Sequence, residues 1–233
     1  MPMVQREEVA RVCAHFEGQP AEPLLNWALG EFHPEIALAC SFGAEDVALI
    51  DMLCRIHPRP RVFYLDTQFH FRETYEARDR IQQRYSVELI QCLPELSVEE
   101  QAARYGPGLY AREPDRCCQL RKVLPLQKML SGLRAWITGI RREQAPTRAV
   151  AQLVEWDERF GLVKINPLVK WTAKEVWEYI RGHGVPYNAL HDRNYPSIGC
   201  EPCTRPVKPG DDPRGGRWAG LEKVECGLHT KPA

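Results

Sequence analysis

Short apolar runs that alternate with helical patterns constrain the fold of this chain more than any other feature. A continuous apolar run typical of a buried strand lies at 36–40, and further strands are predicted at 61–66, 87–92 and 135–138. Helical spacing of apolar residues predicts helices at 5–16, 21–30, 47–53, 72–85, from 97 onward, 116–130 and 172–182, and a hairpin is predicted at 151–156 and 161–165. Strands that are buried on both faces and joined by helices form a parallel sheet. The sequence therefore predicts an α/β domain over 1–209, including an irregular extension at 185–209, followed by a mobile C-terminal tail at 210–233.

Charge and hydropathy limit the class of protein. The 233 residues carry 31 Lys and Arg against 31 Asp and Glu, so the formal net charge is zero. Nucleic-acid-binding domains are usually basic, and a membrane span needs about 20 apolar residues in a row, which no stretch of the sequence provides. The first residues lack the apolar core of a signal peptide. We therefore expect a cytoplasmic protein that binds neither nucleic acid nor membranes.

The loop after the first predicted strand, Ser41-Phe-Gly-Ala-Glu-Asp46, is a candidate anion site. A turn from a strand into a helix directs backbone N–H groups and the positive end of the helix dipole at one point. The loop lacks the Gly-Lys-Ser/Thr ending of a Walker A motif, and an ordinary strand-to-helix turn also explains its glycine. Asp66 ends the next strand at the same edge of the sheet, where it would either contact a ligand or cap the following helix.

Five of the nine cysteines are grouped in ways that burial does not explain. The other four stand singly in apolar or helical stretches and are interpreted as small buried side chains: Cys13, Cys40, Cys54 and Cys92. Cys117-Cys118 and Cys200-x-x-Cys203 together offer four soft sulfur ligands, which suit zinc or an iron-sulfur cluster. Adjacent cysteines favour the cluster over a compact zinc site, and a structural or redox Cys-x-x-Cys is the third alternative.

The fifth grouped cysteine, Cys226, lies in the polar segment Glu225-Cys-Gly-Leu-His229. Arg214, Arg217 and His229 lie near it in sequence and would favour its reactive thiolate. An incidental exposed thiol is the alternative. Other basic residues follow predicted element ends, where they would bind an anion or simply charge the surface: Arg121, Lys122, Arg141, Arg142 and Arg148.

Together these segments resemble the assimilatory sulfonucleotide reductases, and specifically their iron-sulfur branch, the thioredoxin-dependent adenylyl-sulfate (APS) reductases. The resemblance covers about residues 36–230. The segments that carry it are Ser-Phe-Gly-Ala-Glu-Asp (41–46), Leu-Asp-Thr (65–67), Glu-Thr-Tyr (73–75), Cys-Cys-Gln-Leu-Arg-Lys (117–122), Thr-Gly-Ile-Arg-Arg-Glu-Gln (138–144), Tyr-Pro-Ser-Ile-Gly-Cys-Glu-Pro-Cys-Thr (195–204), Gly-Arg-Trp (216–218) and Glu-Cys-Gly-Leu-His (225–229).

The resemblance implies a fold, an activity and a role for each site residue. The fold is the adenine-nucleotide α-hydrolase-like (PP-loop) domain, and the activity is reduction of APS to sulfite and AMP in sulfate assimilation and cysteine biosynthesis. Cys226 would be the nucleophile, forming a Cys S-sulfonate that thioredoxin or a glutaredoxin-like reductant resolves, and a homo-oligomer is compatible with the family. The ligands of a 4Fe-4S cluster would be Cys117, Cys118, Cys200 and Cys203. The phosphosulfate would contact Lys122, Arg214, Arg217 and His229. The nucleotide would contact Ser41, Phe42, Gly43, Asp66 and Arg142.

The substrate and the broader class each have an alternative. In the resembled family, chains with both cysteine pairs prefer APS, so APS is expected here, with the 3'-phosphorylated form (PAPS) or both substrates as the alternative. An ATP pyrophosphatase that thiolates tRNA shares the fold, but its loop reads Ser-Gly-Gly-x-Asp-Ser, and Phe42, Ala44 and Asp46 replace that pattern here. A zinc-stabilised interaction module would give Cys226 no task.

Overall fold

The computed structural model describes residues 6–223 and 225–228, which form a central six-stranded sheet covered by helices. The strands are β1 Ile36–Ala39, β2 Arg61–Leu65, β3 Glu88–Cys92, β4 Ala135–Ile137, β5 Val154–Asp157 and β6 Leu162–Ile165. They lie in the order β3-β2-β1-β4-β6-β5, and every neighbouring pair is parallel except β5 and β6. The predicted parallel α/β sheet is confirmed, and the predicted hairpin forms its antiparallel edge.

The helices follow the predicted pattern closely. Their bounds are α1 Val9–Phe16, α2 Ala21–Phe32, α3 Ala44–Ile56, α4 Arg72–Arg84, α5 Val98–Tyr105, α6 Leu109–Arg112, α7 Pro114–Cys118, α8 Leu124–Leu130 and α9 Ala173–Gly182. The capping signals are confirmed in detail, because Ser97 and Thr172 each form a capping box with the glutamate three residues later. These local signals therefore fix where α5 and α9 begin.

The predicted helix over 116–130 is not one continuous α-helix. A π-helical segment, Gln119–Val123, separates α7 from α8. Single π-helical turns occur frequently at functional sites, where they change the direction of neighbouring side chains. This one directly follows the adjacent cysteines Cys117 and Cys118.

The core lies on both faces of the sheet. The larger cluster packs β1 side chains such as Ile36 and Leu38 against α2 and α3. The smaller cluster lies on the opposite face and includes Ala37, Phe63 and Trp136. Alternate residues of β1 thus enter different clusters, as expected for a strand that is buried on both sides. This packing holds the carboxyl edge of the sheet, and the loops that leave it, in fixed positions.

The chain after α9 has little regular structure within the described residues beyond two 3-10 turns, Ala189–Arg193 and Glu201–Cys203. Isolated antiparallel bridges join His70 to Cys200 and Thr204 to Arg217. Trp218 is only 3% exposed and donates its backbone N–H to the carbonyl of Cys203 at 2.9 Å. The first part of the predicted tail therefore packs on the extension, and the mobility of 210–233 stays a prediction.

None of the helices that the structure describes combines the length and the apolar character needed to cross a membrane.

Candidate active site

A cleft of about 560 Å3 opens at the carboxyl edge of the sheet. Strands β2 and β3 lie on one side of β1, whereas β4 and β6 lie on the other. Open α/β sheets bind ligands at such a switch point, between the loops that leave the two central strands. Here those loops line the cleft through Ser41, Gly43, Thr138 and Gly139. The cleft thus lies where the topology favours a ligand.

Asp46 fixes the loop between β1 and α3. Its carboxylate accepts hydrogen bonds from the backbone N–H of Ser41 at 2.6 Å and from the Ser41 hydroxyl at 2.7 Å. Burial raises the pKa of Asp46 to about 6, although these hydrogen bonds act in the opposite direction. Gly43, at the N-cap of α3, lines the cleft, so the positive end of that helix dipole faces the space available to an anion.

Gly139 allows the β4 loop to touch the start of α3. A Cβ on Gly139 would lie 2.5 Å from Asp46 Oδ1 and 2.8 Å from Glu45 Cβ, both closer than van der Waals contact permits. Only glycine is therefore compatible with this approach. The next basic residue, Arg141, lines the same cleft and donates from Nε to Glu45 at 2.8 Å.

Phe42 and Asp66, both expected to contact the nucleotide, do not line the cleft. The Phe42 side chain is 2% exposed and packs edge-on against Tyr64. Asp66 accepts hydrogen bonds from the Tyr75 hydroxyl and the Gln91 amide, both at 2.7 Å. Burial alone would raise the pKa of Asp66, but these donors hold it below its usual value. Both side chains are therefore engaged with neighbouring residues of the domain rather than exposed to the cleft.

Arg142 is also absent from the cleft, and its neighbour takes the expected place. Its Nε donates to the carbonyl of Ala151 at 2.8 Å, on the far side of the loop. Arg141 has an extended backbone, and successive side chains of extended chain point to opposite sides. The structure therefore places Arg141, rather than Arg142, in the lining of the cleft, and a contact of Arg142 with the nucleotide stays a prediction.

A second, smaller cavity gathers the four cysteines expected to hold a cofactor. They are Cys117, Cys118, Cys200 and Cys203. Helix α7 supplies the first pair and the 3-10 turn Glu201–Cys203, with the residue before it, supplies the second. The hydroxyl of Thr67, at the end of β2, lies 3.3 Å from the sulfur of Cys200. The cavity therefore lies beside the same edge of the sheet as the cleft.

The thiols of this cavity ionise less readily than an exposed cysteine does. Burial, together with the neighbouring cysteines, raises the pKa of Cys117 to about 12. Burial likewise raises the pKa of Cys118 to about 11 and that of Cys203 above its usual value. Bound metal ions reverse this effect, because their charge stabilises the thiolate. Within residues 6–223 and 225–228, no three or more His, Cys, Asp or Glu side chains are arranged to hold a single metal ion.

Two buried N–H groups at the cavity lack an acceptor among the described residues: Arg121 Nε and Trp218 Nε1. The rest of the Arg121 guanidinium is held by the carbonyls of Thr67 at 3.0 Å and Leu96 at 3.5 Å. Buried donors nearly always have a partner, so a bound group with sulfur acceptors would satisfy both. The residues present fit an iron-sulfur cluster. Trp218 belongs to the segment Gly-Arg-Trp that carries the family resemblance, but no signal in the sequence indicates that its indole lies beside the four cysteines.

Lys122 connects the cysteine cavity to the cleft, because it lines both. Burial alone would lower the pKa of Lys122, but the sulfur atoms of Cys200 and Cys226 raise it well above its usual value. The ammonium group is therefore charged at neutral pH. Its position on the π-helical segment, four residues after Cys118, places it between the two sites.

Arg217 and Arg214, both expected to contact the phosphosulfate, also line the cleft. Nη1 of Arg217 donates to the Ser197 hydroxyl at 3.2 Å and to the carbonyl of Ile198 at 3.3 Å, while its buried Nε has no acceptor in the described part of the chain. Arg214 instead forms an ion pair with Glu225 at 3.1 Å. The two arginines therefore differ in how far they are available to a ligand.

Cys226 is half-buried and lines the cleft together with Lys122. The residues after it hold the tail in this position, because Arg159 donates to the carbonyl of Gly227 and Leu228 packs against the smaller core cluster. His229, the last expected contact of the phosphosulfate, lies outside the described residues. The structure thus brings Ser41, Gly43, Lys122, Arg214, Arg217 and Cys226 to one cleft.

Comparison with known proteins identifies the family. Residues 35–206 match the model of the phosphoadenosine phosphosulfate reductase domain, which spans most of the chain. The chain belongs to this reductase family. It is 51% identical over 207 residues to the adenosine 5'-phosphosulfate reductase of Halalkalibacterium halodurans, which covers 88% of this chain and 90% of the relative. It is 52% identical over 209 residues to adenosine 5'-phosphosulfate reductase 2 of Bacillus subtilis, with 89% of each chain covered.

Solved structures support the same assignment for this reductase-family chain. The crystal structure of PAPS reductase from Candida auris in complex with phosphate superimposes with a TM-score of 0.78 at 30% identity, covering 87% of this chain and 98% of that chain. FMN adenylyltransferase from Candida glabrata superimposes with a TM-score of 0.60 at 15% identity, covering 94% of this chain and 82% of that chain. At this identity the likeness shows a shared fold only. The predicted family and the PP-loop type of fold are both confirmed.

Proposed function

We propose that this chain reduces adenylyl sulfate to sulfite and AMP through a Cys226 S-sulfonate, with a thioredoxin-type dithiol protein as the reductant. One observation carries the proposal. Cys226, the charged Lys122 and the Ser41 loop at the N-terminus of α3 line one cleft at the switch point of the sheet. A nucleophile, a cation for a leaving phosphate and an anion-binding helix start are the parts that this reaction needs.

The first step is attack of the Cys226 thiolate on the sulfur atom of the phosphate-sulfate anhydride. The new S–S bond forms as the S–O bond breaks, and AMP leaves with the electron pair of that bond. Negative charge therefore increases on the phosphate oxygen in the transition state. Lys122 and Arg217 line the cleft and stabilise this charge.

The second step returns the cysteine. A thiolate of the reductant attacks the Cys226 sulfur, so sulfite leaves with the bonding electrons and a mixed disulfide forms. The second thiol of the reductant then displaces Cys226, and the reductant is left with a disulfide after supplying two electrons. Because a protein must reach Cys226, the tail that bears it has to leave the cleft between the two steps. This requirement supports mobility of the part of the predicted tail at 210–233 that bears Cys226, relative to the domain at 1–209.

We further propose that the four cysteines bind a 4Fe-4S cluster. The support is the cavity shared by Cys117, Cys118, Cys200 and Cys203 and the unpartnered donors on Arg121 and Trp218. When bound, the cluster supplies a structural cross-link between α7 and the extension, and an electrostatic environment for Lys122. Four cysteine ligands leave no iron site open to substrate, so Lys122 conveys any influence on the reaction.

APS is the proposed substrate, because the relatives from Halalkalibacterium halodurans and Bacillus subtilis bear that name at about half identity. The Candida auris structure is a PAPS reductase at lower identity, so PAPS is the alternative. A thioredoxin-dependent reductase of sulfate assimilation acts in the reducing cytoplasm, which is the proposed location and one in which nine cysteines stay free of disulfides.

Steady-state kinetics test this proposal. Anaerobically purified protein is mixed with thioredoxin, its reductase and either APS or PAPS, and sulfite and AMP are measured. We expect equal amounts of the two products and a higher kcat/KM for APS. Cys226→Ser is the control and produces no sulfite. A higher kcat/KM for PAPS would contradict the substrate, and no sulfite from either nucleotide would contradict the function.

Metal analysis tests the cofactor separately. The purified protein should be brown, with about four iron and four sulfide per chain. Cys203→Ser should lose the colour, whereas Cys226→Ser should keep it. A colourless protein with one zinc per chain would overturn the cluster.

A further inference from the structure

The carboxylate of Glu225, the residue before the candidate nucleophile, is enclosed by two arginines. Oε1 accepts a hydrogen bond from Arg148 Nε at 3.0 Å, and Oε2 accepts one from Arg148 Nη2 at 3.2 Å. Arg214 Nη2 lies 3.1 Å from the same Oε2, and the Thr147 hydroxyl donates to Oε1 at 3.2 Å. We name these contacts of Glu225 with Arg148 and Arg214 the arginine clasp.

The clasp is shielded from solvent, unlike most surface ion pairs. The Glu225 side chain is 7% exposed, and those of Arg148 and Arg214 are 12% and 15% exposed. Two parallel N–H···O bonds from one guanidinium are among the stronger charged contacts, and removal of one partner leaves the other charge buried and unpaired. Burial alone would raise the pKa of Glu225, but Arg148 and Arg214 hold it below its usual value. The carboxylate is therefore ionised at neutral pH.

The clasp connects the tail to the wall of the cleft. Arg148 Nη1 donates to Gln144 Oε1 at 2.6 Å, and the same oxygen accepts the backbone N–H of Arg141 at 3.0 Å. Arg141 follows the β4 loop and lines the cleft. Since Cys226 is the next residue after Glu225, its Cα lies about 3.8 Å from the clasped residue.

Four of the cations that line the cleft near Cys226 differ in their partners. Arg148 and Arg214 are held by Glu225, whereas Lys122 and Arg217 form no ion pair with a carboxylate among the described residues. An anionic substrate can therefore contact Lys122 and Arg217 without breaking the clasp. Arg214, which the resemblance assigns to the phosphosulfate, is paired with Glu225 in this structure.

We propose that Glu225 is a positioning residue that holds Cys226 in the cleft through the arginine clasp, while Lys122 and Arg217 receive the anionic part of the substrate. The proposal rests on the proposed function of Cys226 as nucleophile. The clasp consists of non-covalent contacts to a single carboxylate, so it can break reversibly. The tail can then leave the cleft when a protein reductant has to reach the sulfonated cysteine. The clasp is thus closed while Cys226 attacks the substrate, and it is open while the reductant releases sulfite.

Two measurements on Glu225→Gln test the proposal, because this change keeps the size of the side chain but removes its charge. The first is the rate of Cys226 alkylation by iodoacetamide in the absence of nucleotide, which should rise several-fold as the tail opens more often. The second is the single-turnover rate of Cys226 sulfonation at saturating APS, which should fall about tenfold or more, since a small misplacement of a reacting group is costly. The dissociation constant of AMP should change by less than about threefold, because Lys122 and Arg217 are untouched.

Matched variants separate positioning from folding. Glu222→Gln removes a carboxylate from the same tail, where Glu222 is exposed and in no ion pair with another described residue, and it should match wild type in both rates. Arg148→Met tests the clasp from the other side, and Arg148→Met with Glu225→Gln should be no slower than either single variant. Iron content and melting temperature show whether each variant is folded.

Three results would overturn the proposal. Unchanged alkylation and sulfonation rates in Glu225→Gln would show that the clasp does not place Cys226. AMP binding that tightens about tenfold with no loss of sulfonation rate would show that Glu225 competes with substrate for the arginines. Additive losses in the double variant would show that the two residues act independently. Alkylation needs no nucleotide, so it still tests the clasp if wild type fails to react with APS, which would refute only the proposed function.

Discussion

The guanidinium of Arg217 lies against the backbone of Gly199, in space that any other residue at 199 would fill. A Cβ on Gly199 would come within 2.3 Å of Arg217 Nη2 and 2.6 Å of its Cζ. Gly199 directly precedes Cys200, so a cation of the cleft and a cysteine of the smaller cavity depend on the same short segment. Residues 199–200 therefore contact the cleft on one side and the cysteine cavity on the other.

Substitution of Gly199 should impair catalysis by displacing Arg217. We expect Gly199→Ala to lower kcat/KM for APS about tenfold or more, because the flexible guanidinium must leave the position in which it meets the leaving phosphate. Gly30→Ala is the control, since a Cβ there meets nothing within 4 Å and alanine favours the interior of α2. Steady-state kinetics check both variants. Full activity in Gly199→Ala would show that Arg217 does not act from its observed position.

Gly139 should be equally sensitive, but through nucleotide binding. Gly139→Ala places a methyl group against Asp46 and Glu45 and so pushes the β4 loop away from the start of α3. We expect the dissociation constant of AMP to rise about tenfold or more, measured by titration calorimetry. Gly132→Ala, where a Cβ would meet nothing within 4 Å, should bind AMP as wild type does. Equal affinity in the two variants would exclude this loop from the nucleotide site.

The ionisation of Asp46 should make wild type less stable as pH rises. Its pKa is raised from 3.8 to about 6 in the folded chain, so the folded state binds this proton more tightly than the unfolded state. The favourable contribution is complete below pH 4 and is lost as pH rises through 6. Relative to Asp46→Asn, which does not titrate, wild type should lose up to about 3 kcal/mol of unfolding free energy between pH 4 and pH 7. Denaturant titrations at several pH values check this. If the unfolding free energy of wild type rose with pH relative to that of Asp46→Asn, the prediction would have the wrong sign.

Trp218 should anchor the first part of the tail to the domain, whereas the residues after it should be needed for catalysis but not for stability. Removing residues 221–233 leaves Trp218 in place, so the shortened chain should keep its cluster and bind AMP but form no sulfite. Removing 210–233 deletes the buried indole beside the cysteine cavity and should cost about 3–5 kcal/mol of stability. Denaturant unfolding and iron retention under a chelator compare the two. Equal stability and equal iron retention would show that Trp218 does not anchor this region.

The sheet and most helices were predictable because their signals are local. Ile36–Ala39 is apolar on both faces, and Ser97 and Thr172 each form the capping box that their sequences indicate. The π-helical segment after Cys118 was not predictable, since residues 116–130 keep an ordinary helical spacing of apolar side chains.

The role of a site residue was predictable where its residue type has few other uses. It was not predictable where the contacts of the side chain in the folded chain determine that role. Four cysteines in two pairs could be assigned to one cavity. The choice between Arg141 and Arg142 depends on which way each side chain points where a 3-10 turn begins at Arg142, and Asp66 accepts a hydrogen bond from Tyr75 on the next helix. The role of Glu225 was hidden, because Arg148 lies 77 residues away in the chain.

The most direct test of the account is the site of covalent modification after a single turnover. Wild-type protein is mixed anaerobically with APS and no reductant, then digested and analysed by mass spectrometry with its cysteines protected from exchange. The account predicts the added mass of one SO3 group on a peptide that contains Cys226, lost on addition of reduced thioredoxin. The same mass on Cys117, Cys118, Cys200 or Cys203, or on no cysteine while AMP is released, would contradict it.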